Sequence, residues 1–534
     1  MKNLVLVFVF IAFLSHGETA NILGLFGCAS HSHFLWNEVL VGALSERGHS
    51  LTVVSVDENK SPKPNVTHLH MEKTYDTIFQ NLENTIDGVK QETLPKPSGI
   101  FSNIQFLYLL KMYECKGILE SRGFQDVLKL NEKFDLILYD TETGPCMLRL
   151  IERYPNVPVV GVTAFKMDPR VVEMVGGHSY PGYISHILKK HEMPKNFWKR
   201  LDNVVTYAYA YLYRKFVSDR YIEDLTSLHI PGPKAPLDNL YERIKISLVN
   251  THPSMDYAQS LPPNIIEVGG LHIKQPKPLP SKIQIFLDSA VKGSVLISLG
   301  SNIKAEVLGK QRIEDLISVI KRFPEYNFLW KVEDKGILKE FPKNLMIQNW
   351  LPQNDILAHP KLKVFFTHAG GLSMQEAVFH GKPLVAMPFF VDQMNNAFLA
   401  EHKGYGKVVL FEEINEESVY SAFSEVFNNS SYSRNMLELQ KKFLDRKSKP
   451  LDTAIWWIEY ILRNPKADHL SPFSRNMTYL VANSFDIVLV FYCLISLILF
   501  VGIFISFKLF KNILNKFMNK LDGKYSNRNK VKNN

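Results

Sequence analysis

Val364-Phe365-Phe366-Thr367-His368-Ala369-Gly370-Gly371-Leu372-Ser373-Met374-Gln375-Glu376-Ala377 is the stretch on which the fold turns. Val364 to Phe366 is a short apolar run, the pattern of a strand covered on both faces. The Gly-Gly pair ends it, and the residues through Ser373, Glu376 and Ala377 read as a helix. A strand that passes through a glycine-rich turn into a helix leaves backbone N–H groups unpaired at the positive end of a helix dipole. Both features favour a diphosphate. His368 and Ser373 add side-chain donors at the same place.

The same alternation runs outward in both directions. Upstream, Ser294 to Leu299 reads as a strand ending at Gly300-Ser301, and Asn327 to Val332 as another; downstream comes Leu384 to Met387. Proline clusters between 262 and 280, ending in Gln275-Pro276-Lys277-Pro278-Leu279-Pro280, which reads as a stiff linker. Before it the pattern occurs a first time: strands at 21–26, 50–56, 134–139 and 157–162, and a helix at 34–46 stopped by Arg47-Gly48. Strand, helix, strand at this spacing predicts an α/β fold of two doubly wound, Rossmann-like domains facing a cleft. The expected boundaries are 21–272 for the first domain, 273–282 for the linker, 283–450 for the second domain and 451–485 for C-terminal helices and a juxtamembrane segment.

Around the opening stretch lie Trp350-Leu351-Pro352-Gln353 and Pro388-Phe389-Phe390-Val391-Asp392-Gln393, leading to Asn396. A Trp at a strand end suits stacking on a flat base. A carboxylate such as Glu376 can accept from a ribose diol, and the adjacent Asp392 and Gln393 can read several sugar hydroxyls. Gly300-Ser301 offers a further phosphate donor. Each feature has a plainer reading: Ser373-Met374-Gln375-Glu376 also fits a helix capping box, Trp350 fits a core position, and Asp392-Gln393 fits a solvated loop.

In the first domain, Cys28-Ala29-Ser30-His31-Ser32-His33 follows the first strand and opens a helix. A histidine near its free pKa suits removal of a proton from a hydroxyl, and a carboxylate behind it would orient the ring. His31 and His33 both qualify. Asp140, after the strand 134–139, could serve as the carboxylate or simply cap the next helix.

The ends bear on compartment. Residues 1–20 carry Lys2, an apolar run from Leu4 to Leu14 and then small and polar residues, the layout of a secretory signal peptide; the alternative is a retained anchor. Ile487 to Phe507 has no charged residue and is long enough to span a bilayer. Residues 508–534 hold eight Lys or Arg against one acid, which places this tail in the cytosol and the domains in the lumen. That tail supplies +7 of the +9 net charge, so a nucleic-acid footprint on the domains is unsupported. Lys530 and Lys532 near the C-terminus resemble an endoplasmic reticulum retrieval signal, or form a plain solvated tail. Cys493 lies in the span, and Cys28, Cys115 and Cys146 allow one disulfide with one thiol left over. Asn65, Asn428, Asn429 and Asn476 are glycosylation acceptors by pattern.

The run from Phe366 to Gln393 resembles the donor signature of the UDP-glycosyltransferase family, and the resemblance extends over almost the whole chain, most closely to animal and particularly insect members. It implies the GT-B architecture of two Rossmann-like domains with a C-terminal transmembrane helix, in the endoplasmic reticulum membrane. It implies that Trp350 and Gln353 meet the uracil, Glu376 the ribose, Ser301, His368, Gly370 and Ser373 the phosphates, and Asp392, Gln393 and Asn396 the sugar. The family's catalytic histidine sits fourteen residues before the Arg of Arg47-Gly48-His49, which selects His33 over His31, with Asp140 as its partner. The implied reaction is an inverting transfer from a UDP-sugar, UDP-glucose by the insect likeness, to a small lipophilic acceptor, with no metal and no bound cofactor. UDP-glucuronate is the alternative donor. Aromatics including Tyr75, Phe79, Phe101, Phe106, Tyr108, Phe165 and Tyr183 are expected around the acceptor. Homo-oligomers in the membrane are compatible with the family.

Two other readings compete. A Rossmann dehydrogenase would need Gly-x-Gly-x-x-Gly after the first strand, which is missing. A non-catalytic carrier on the same fold would be expected to lose His33, Asp140, His368, Asp392 or Gln393, and all five are present.

Overall fold

The computed structural model describes residues 19–61, 63–85, 99–192, 194–232, 234–301, 303–333 and 341–531. The signal peptide (except Thr19 and Ala20) and Lys532 of the retrieval pattern lie outside the described residues.

The first domain is built on seven strands: β1 (Asn21–Phe26), β2 (Ser50–Ser55), β3 (Val66–His70), β4 (Leu136–Asp140), β5 (Val159–Thr163), β6 (Ile244–Val249) and β7 (Ile265–Glu267). They lie in the order β3-β2-β1-β4-β5-β6-β7, every neighbouring pair parallel. The second domain has six: β8 (Gly293–Ser298), β9 (Tyr326–Lys331), β10 (Leu345–Gln348), β11 (Leu362–Thr367), β12 (Leu384–Ala386) and β13 (Gly406–Val408). Their order is β10-β9-β8-β11-β12-β13, again all parallel. Helices cover both faces of each sheet, so the central strands are apolar throughout; Leu136-Ile137-Leu138-Tyr139-Asp140 is buried at every position.

In each sheet the strand order reverses once, between β1 and β4 and between β8 and β11. A crevice opens beyond the carboxyl ends of the strands at such a point. Register fixes what stands there. Leu25 pairs with Tyr139, setting the turn after β1 beside Asp140; Thr367 pairs with Ser298, setting His368 beside Gly300.

Three expectations need correction. The helix expected at 34–46 begins at His31, so both histidines lie in its first turn. β3, β6, β7, β10 and β13 were not evident from the sequence, because they are short or, like Val-Thr-His-Leu-His of β3, mix polar and apolar residues on a half-exposed edge. The first of the C-terminal helices, expected in a segment apart from both domains, belongs to the first. Helix Pro450–Arg463 packs Ala454, Ile455, Ile458 and Ile461 into the first domain's core with Ile22, Trp36, Leu40 and Val268. Arg47 bonds Glu459 at 3.2 Å along the same contact. The chain thus returns to its first domain, with an i, i+1, i+4, i+7 apolar stripe as the reason.

The linker expected at 273–282 is without regular structure to Pro280, after which helix Ser281–Asp288 begins, so its last two residues are helical. A disulfide joins Cys115 and Cys146, leaving Cys28 as the buried free thiol. Asn65, Asn428, Asn429 and Asn476 are all exposed. A separate unit begins at Phe473. Its helix Phe485–Val531 contains a stretch, Phe485–Gly523, long and apolar enough to cross a membrane, and the expected span 487–507 falls inside it.

Candidate active site

The turn after β1 leads into helix His31–Glu46 with Ser30 as an extended N-cap residue. His33 in the first turn is 3% exposed, and its Nδ1 is buried with no hydrogen-bond partner. Phe165, just past β5, packs its ring edge on the imidazole at 4.5 Å. Burial drives His33 down to about 4, with Glu142 opposing. The imidazole is therefore neutral at pH 7 and able to take a proton.

Asp140 ends β4 below it. Its Oδ1 accepts from the Glu142 backbone at 3.0 Å and its Oδ2 from Asn37 Nδ2 at 3.3 Å. Asp140 does cap the following turn, as its plainer reading held, and it also lies beside His33. Burial raises it to about 7, and Glu142 adds to the rise. Glu142 is a residue that sequence reasoning missed. It accepts from Arg170 and from Thr163 Oγ1, and despite burial Arg170 and Lys111 hold it below its ordinary value. A fixed negative charge thus stands near His33, hidden in a Thr-Glu-Thr turn that reads as solvent-exposed. Cys28, His33 and Asp140 present sulfur, nitrogen and oxygen atoms within 4.8 Å of one another, a set of donors able to hold a metal. Lys111 Nζ, 3.8 Å from Cys28 Sγ, sets a competing cation at the same spot.

Across the cleft, helix Gly371–Phe379 starts at an N-cap glycine with no side-chain cap, so its first N–H groups are not covered by a side chain. Ser373 is the third residue of that helix, which overturns the capping-box reading. Gln353 Nε2 instead donates to Ser373 Oγ at 3.0 Å and Glu376 Oε2 at 2.6 Å. Burial raises Glu376 to about 7, against the Gln353 bond. Trp350 is 66% exposed, so the core reading of that residue is wrong as well. His368 is buried between two glycines. A Cβ on Gly300, itself at φ +83°, would lie 2.5 Å from His368 Cε1, and one on Gly370 would collide with Nε2. Burial lowers His368 to about 4, and Lys331 lowers it further. Asp392 Oδ2 accepts from Asn396 Nδ2 at 2.7 Å, and Gln393 Oε1 accepts from the Phe389 backbone at 2.9 Å. Val391, just before Asp392, has φ +55°, a strained value for a β-branched residue.

One cavity of about 640 Å³ is lined by His33 from the first domain and by Ser301, His368, Asp392 and Gln393 from the second. Tyr75, Phe79 and Phe165 line it too, as expected. Phe106 is core, and Phe101 and Tyr183 are 42% and 48% exposed, so those aromatics do not form its wall. Asp140, Gly370, Ser373, Glu376, Gln353, Trp350 and Asn396 are not among the residues that line it. Lys166 is a second residue missed from sequence. Its ammonium crosses the cleft to Asn395 Oδ1 and opposes the burial that raises Asp392 to about 6.

A family model described as UDP-glucoronosyl and UDP-glucosyl transferase matches residues 25–524. The chain belongs to this family. It is accordingly a glycosyltransferase that takes its sugar from a UDP-sugar. Among curated relatives of this UDP-glycosyltransferase, UDP-glycosyltransferase UGT4 of Dactylopius coccus is 30% identical over 95% of this chain and 99% of its own length. UDP-glucosyltransferase 2 of the same insect is 29% identical over 92% and 94%. UDP-glucuronosyltransferase 2B15 of Homo sapiens is 28% identical over 88% and 90%. A solved structure of Os79 from O. sativa, in complex with U2F and trichothecene, has a TM-score of 0.54 at 18% identity, covering 83% of this chain and 100% of that one. That likeness shows the shared GT-B fold.

Proposed function

We propose that this UDP-glycosyltransferase moves glucose from UDP-glucose to a hydroxyl of a small lipophilic acceptor, such as a phenol, steroid or plant toxin, with inversion at the anomeric carbon. The observation that carries the reading is the single cavity shared by His33 and the donor residues Ser301, His368, Asp392 and Gln393. His33 takes the acceptor proton as the oxygen attacks the anomeric carbon. Asp140 and Glu142 stabilise the imidazolium that forms. UDP leaves against the uncapped N-terminus of helix Gly371–Phe379 and His368. Ser373, Gly370 and Ser301 complete the phosphate site; Trp350, Gln353 and Glu376 hold the nucleoside; Asp392, Gln393 and Asn396 hold the sugar. One displacement turns an α-linked donor into a β-glycoside, and no metal takes part in the step. The enzyme sits in the endoplasmic reticulum membrane with its domains luminal and a cytosolic tail carrying Lys530 and Lys532, and turns over foreign and endogenous lipophiles.

Glucose is supported by the name of the Dactylopius coccus UDP-glucosyltransferase. A glucuronate donor is the second reading, favoured by Lys166: it is a cation beside Asp392, where a sugar carboxylate would need one. Microsomes bearing the chain, given a phenol and either UDP-glucose or UDP-glucuronate, decide between them. A β-glucoside from UDP-glucose alone supports the first reading. Product from UDP-glucuronate alone, lost in Lys166→Met, overturns it.

A further inference from the structure

The acceptor side of the cavity holds a second hydrogen-bonded histidine that the proposed reaction does not use. His31 Nδ1 lies 2.8 Å from Asp57 Oδ1, and Tyr75 Oη donates to Asp57 Oδ2 at 3.0 Å. All three line the cavity that contains His33. They come from three places in the chain: the first turn of helix His31–Glu46, the bend after β2, and the start of helix Thr74–Thr85. The arrangement is therefore tertiary, not a by-product of local sequence. It is not a helix cap either, since the N-cap residue is Ser30.

The chemistry of the relay follows from its bonds. A carboxylate accepts only, so the proton between His31 and Asp57 is assigned to Nδ1. Nε2 then keeps its lone pair, and no hydrogen bond to it is present among the described residues. Asp57 is in turn held by Tyr75, so the ring is aimed rather than free to rotate. The side chain of His31 is 47% exposed while that of Asp57 is 14% exposed, so the accepting end is the accessible one. The other polar pair on this wall is already satisfied. Lys111 Nζ bonds Glu114 Oε2 at 3.2 Å, and Glu114 Oε1 accepts from the Ala29 backbone. Ile78, Phe79, Leu107 and Leu110 supply apolar lining around them. Among the described residues His31 Nε2 is thus an oriented acceptor with no hydrogen-bond partner, set between this apolar lining and the polar Ser30, Ser32 and Asp76. A lipophile that fills the cavity with its reacting hydroxyl at His33 would meet it with a second O–H.

We propose that His31, oriented by Asp57 and Tyr75, binds a second hydroxyl of the acceptor, so that the enzyme selects lipophiles carrying two hydroxyls over those carrying one; this rests on the transferase reading above. It gives the acceptor a chemical class that cavity size and apolar lining alone do not.

The test uses the full chain in microsomes, UDP-glucose and UDP-glucuronate in separate arms, and a naphthol set against the isomeric naphthalenediols. With the working donor, at least one diol should exceed the naphthol in kcat/KM per hydroxyl by about tenfold, the worth of one oriented hydrogen bond. The gain should sit mainly in KM. His31→Leu should bring the ratio to near one, and Asp57→Asn, which keeps the ring but loosens its anchor, should lower it partway. Turnover of the naphthol by each variant reports that it is folded. Equal kcat/KM for the naphthol and every diol in the wild type, or a preference that survives His31→Leu, would overturn the inference while leaving the transferase reading intact. No glycoside from any acceptor with either donor would overturn the transferase reading beneath it.

Discussion

His33 and His368 stand on opposite sides of the strand-order reversal, His33 after β1, whose counterpart is β8, and His368 after β11, whose counterpart is β4. Each follows a central strand at the point where the strand order of its sheet reverses, each is buried, and burial lowers each to about 4. Their surroundings differ in charge, with Lys111 opposing the carboxylates at His33. Around His33 stand Asp140 and an ionised Glu142; beside His368 stands Lys331, with glycine on either side of the ring. Carboxylates favour the imidazolium that a base becomes when it takes a proton. A lysine disfavours it, adding to the burial that keeps His368 neutral, as the hydrogen-bond donor to a leaving diphosphate proposed above would need to be. Two buried histidines at the reversal points of their sheets thus differ in the charge around them, which suits one to the base and the other to the phosphate ligand of the proposed reaction.

The strongest way to break this contrast is to exchange the roles. His33→Ala should lower kcat by about 10³-fold, with UDP affinity, read by calorimetry, within about twofold of wild type. An equal loss in UDP affinity would mean that His33 belongs to the donor site. Asp140→Asn should lower kcat by about 10²-fold and change its pH dependence. Asp140, raised to about 7, is uncharged below that pH, so wild-type kcat should rise as pH passes upward through about 7. The asparagine variant has no such limb and retains only the one near 4 from His33. Glu376 and Asp392 are raised as well and are the residues proposed to bind the donor, so kcat at saturating UDP-sugar is the readout that isolates Asp140.

Much of this contrast was legible in the residues themselves, and the illegible part has a common cause. The run through Thr367-His368-Ala369-Gly370-Gly371 announces a strand, a turn and a helix start that could hold a phosphate, because glycine there answers a local need that sequence shows directly. Strands β1, β4, β8 and β11 were found because a parallel sheet covered on both faces makes continuous apolar runs. The edge strands β3 and β13 lack that cover and left no such trace. Glu142, Lys166 and the His31–Asp57 bond were missed because their meaning lies in partners far along the chain: Arg170, Asn395 and Asp57. Helix Pro450–Arg463 has a plain amphipathic stripe, but nothing local says that the stripe belongs to the first domain. Gln353 decided the capping-box question from twenty residues away.

Smaller changes on the donor side sharpen the comparison. Gly370→Ala puts a methyl group against His368 Nε2, and displacing that ring should raise KM for the UDP-sugar by about tenfold, as overpacking of one group does, with a smaller change in kcat. A loss confined to kcat would place His368 in the chemical step instead. Lys331→Met is the mildest and the most pointed. Lys331 donates to the Gly300 carbonyl at 2.7 Å and adds to the burial that disfavours protonation of His368. Removing it moves the His368 pKa upward from about 4, but burial, the larger cause, still holds it below the ordinary value. His368 therefore remains neutral at pH 7, and KM there should change by no more than about twofold, in line with a partly exposed charge. At pH 5 the variant protonates a larger share of His368 than the wild type does, and an imidazolium attracts a diphosphate. KM for the UDP-sugar should then fall relative to wild type as the pH is lowered, opposite in sign to the acid-side loss expected of kcat through Asp140. A KM that rises tenfold at pH 7 in Lys331→Met would mean that the lysine itself grips the phosphates, and that the charge beside His368 is a ligand rather than a tuning group.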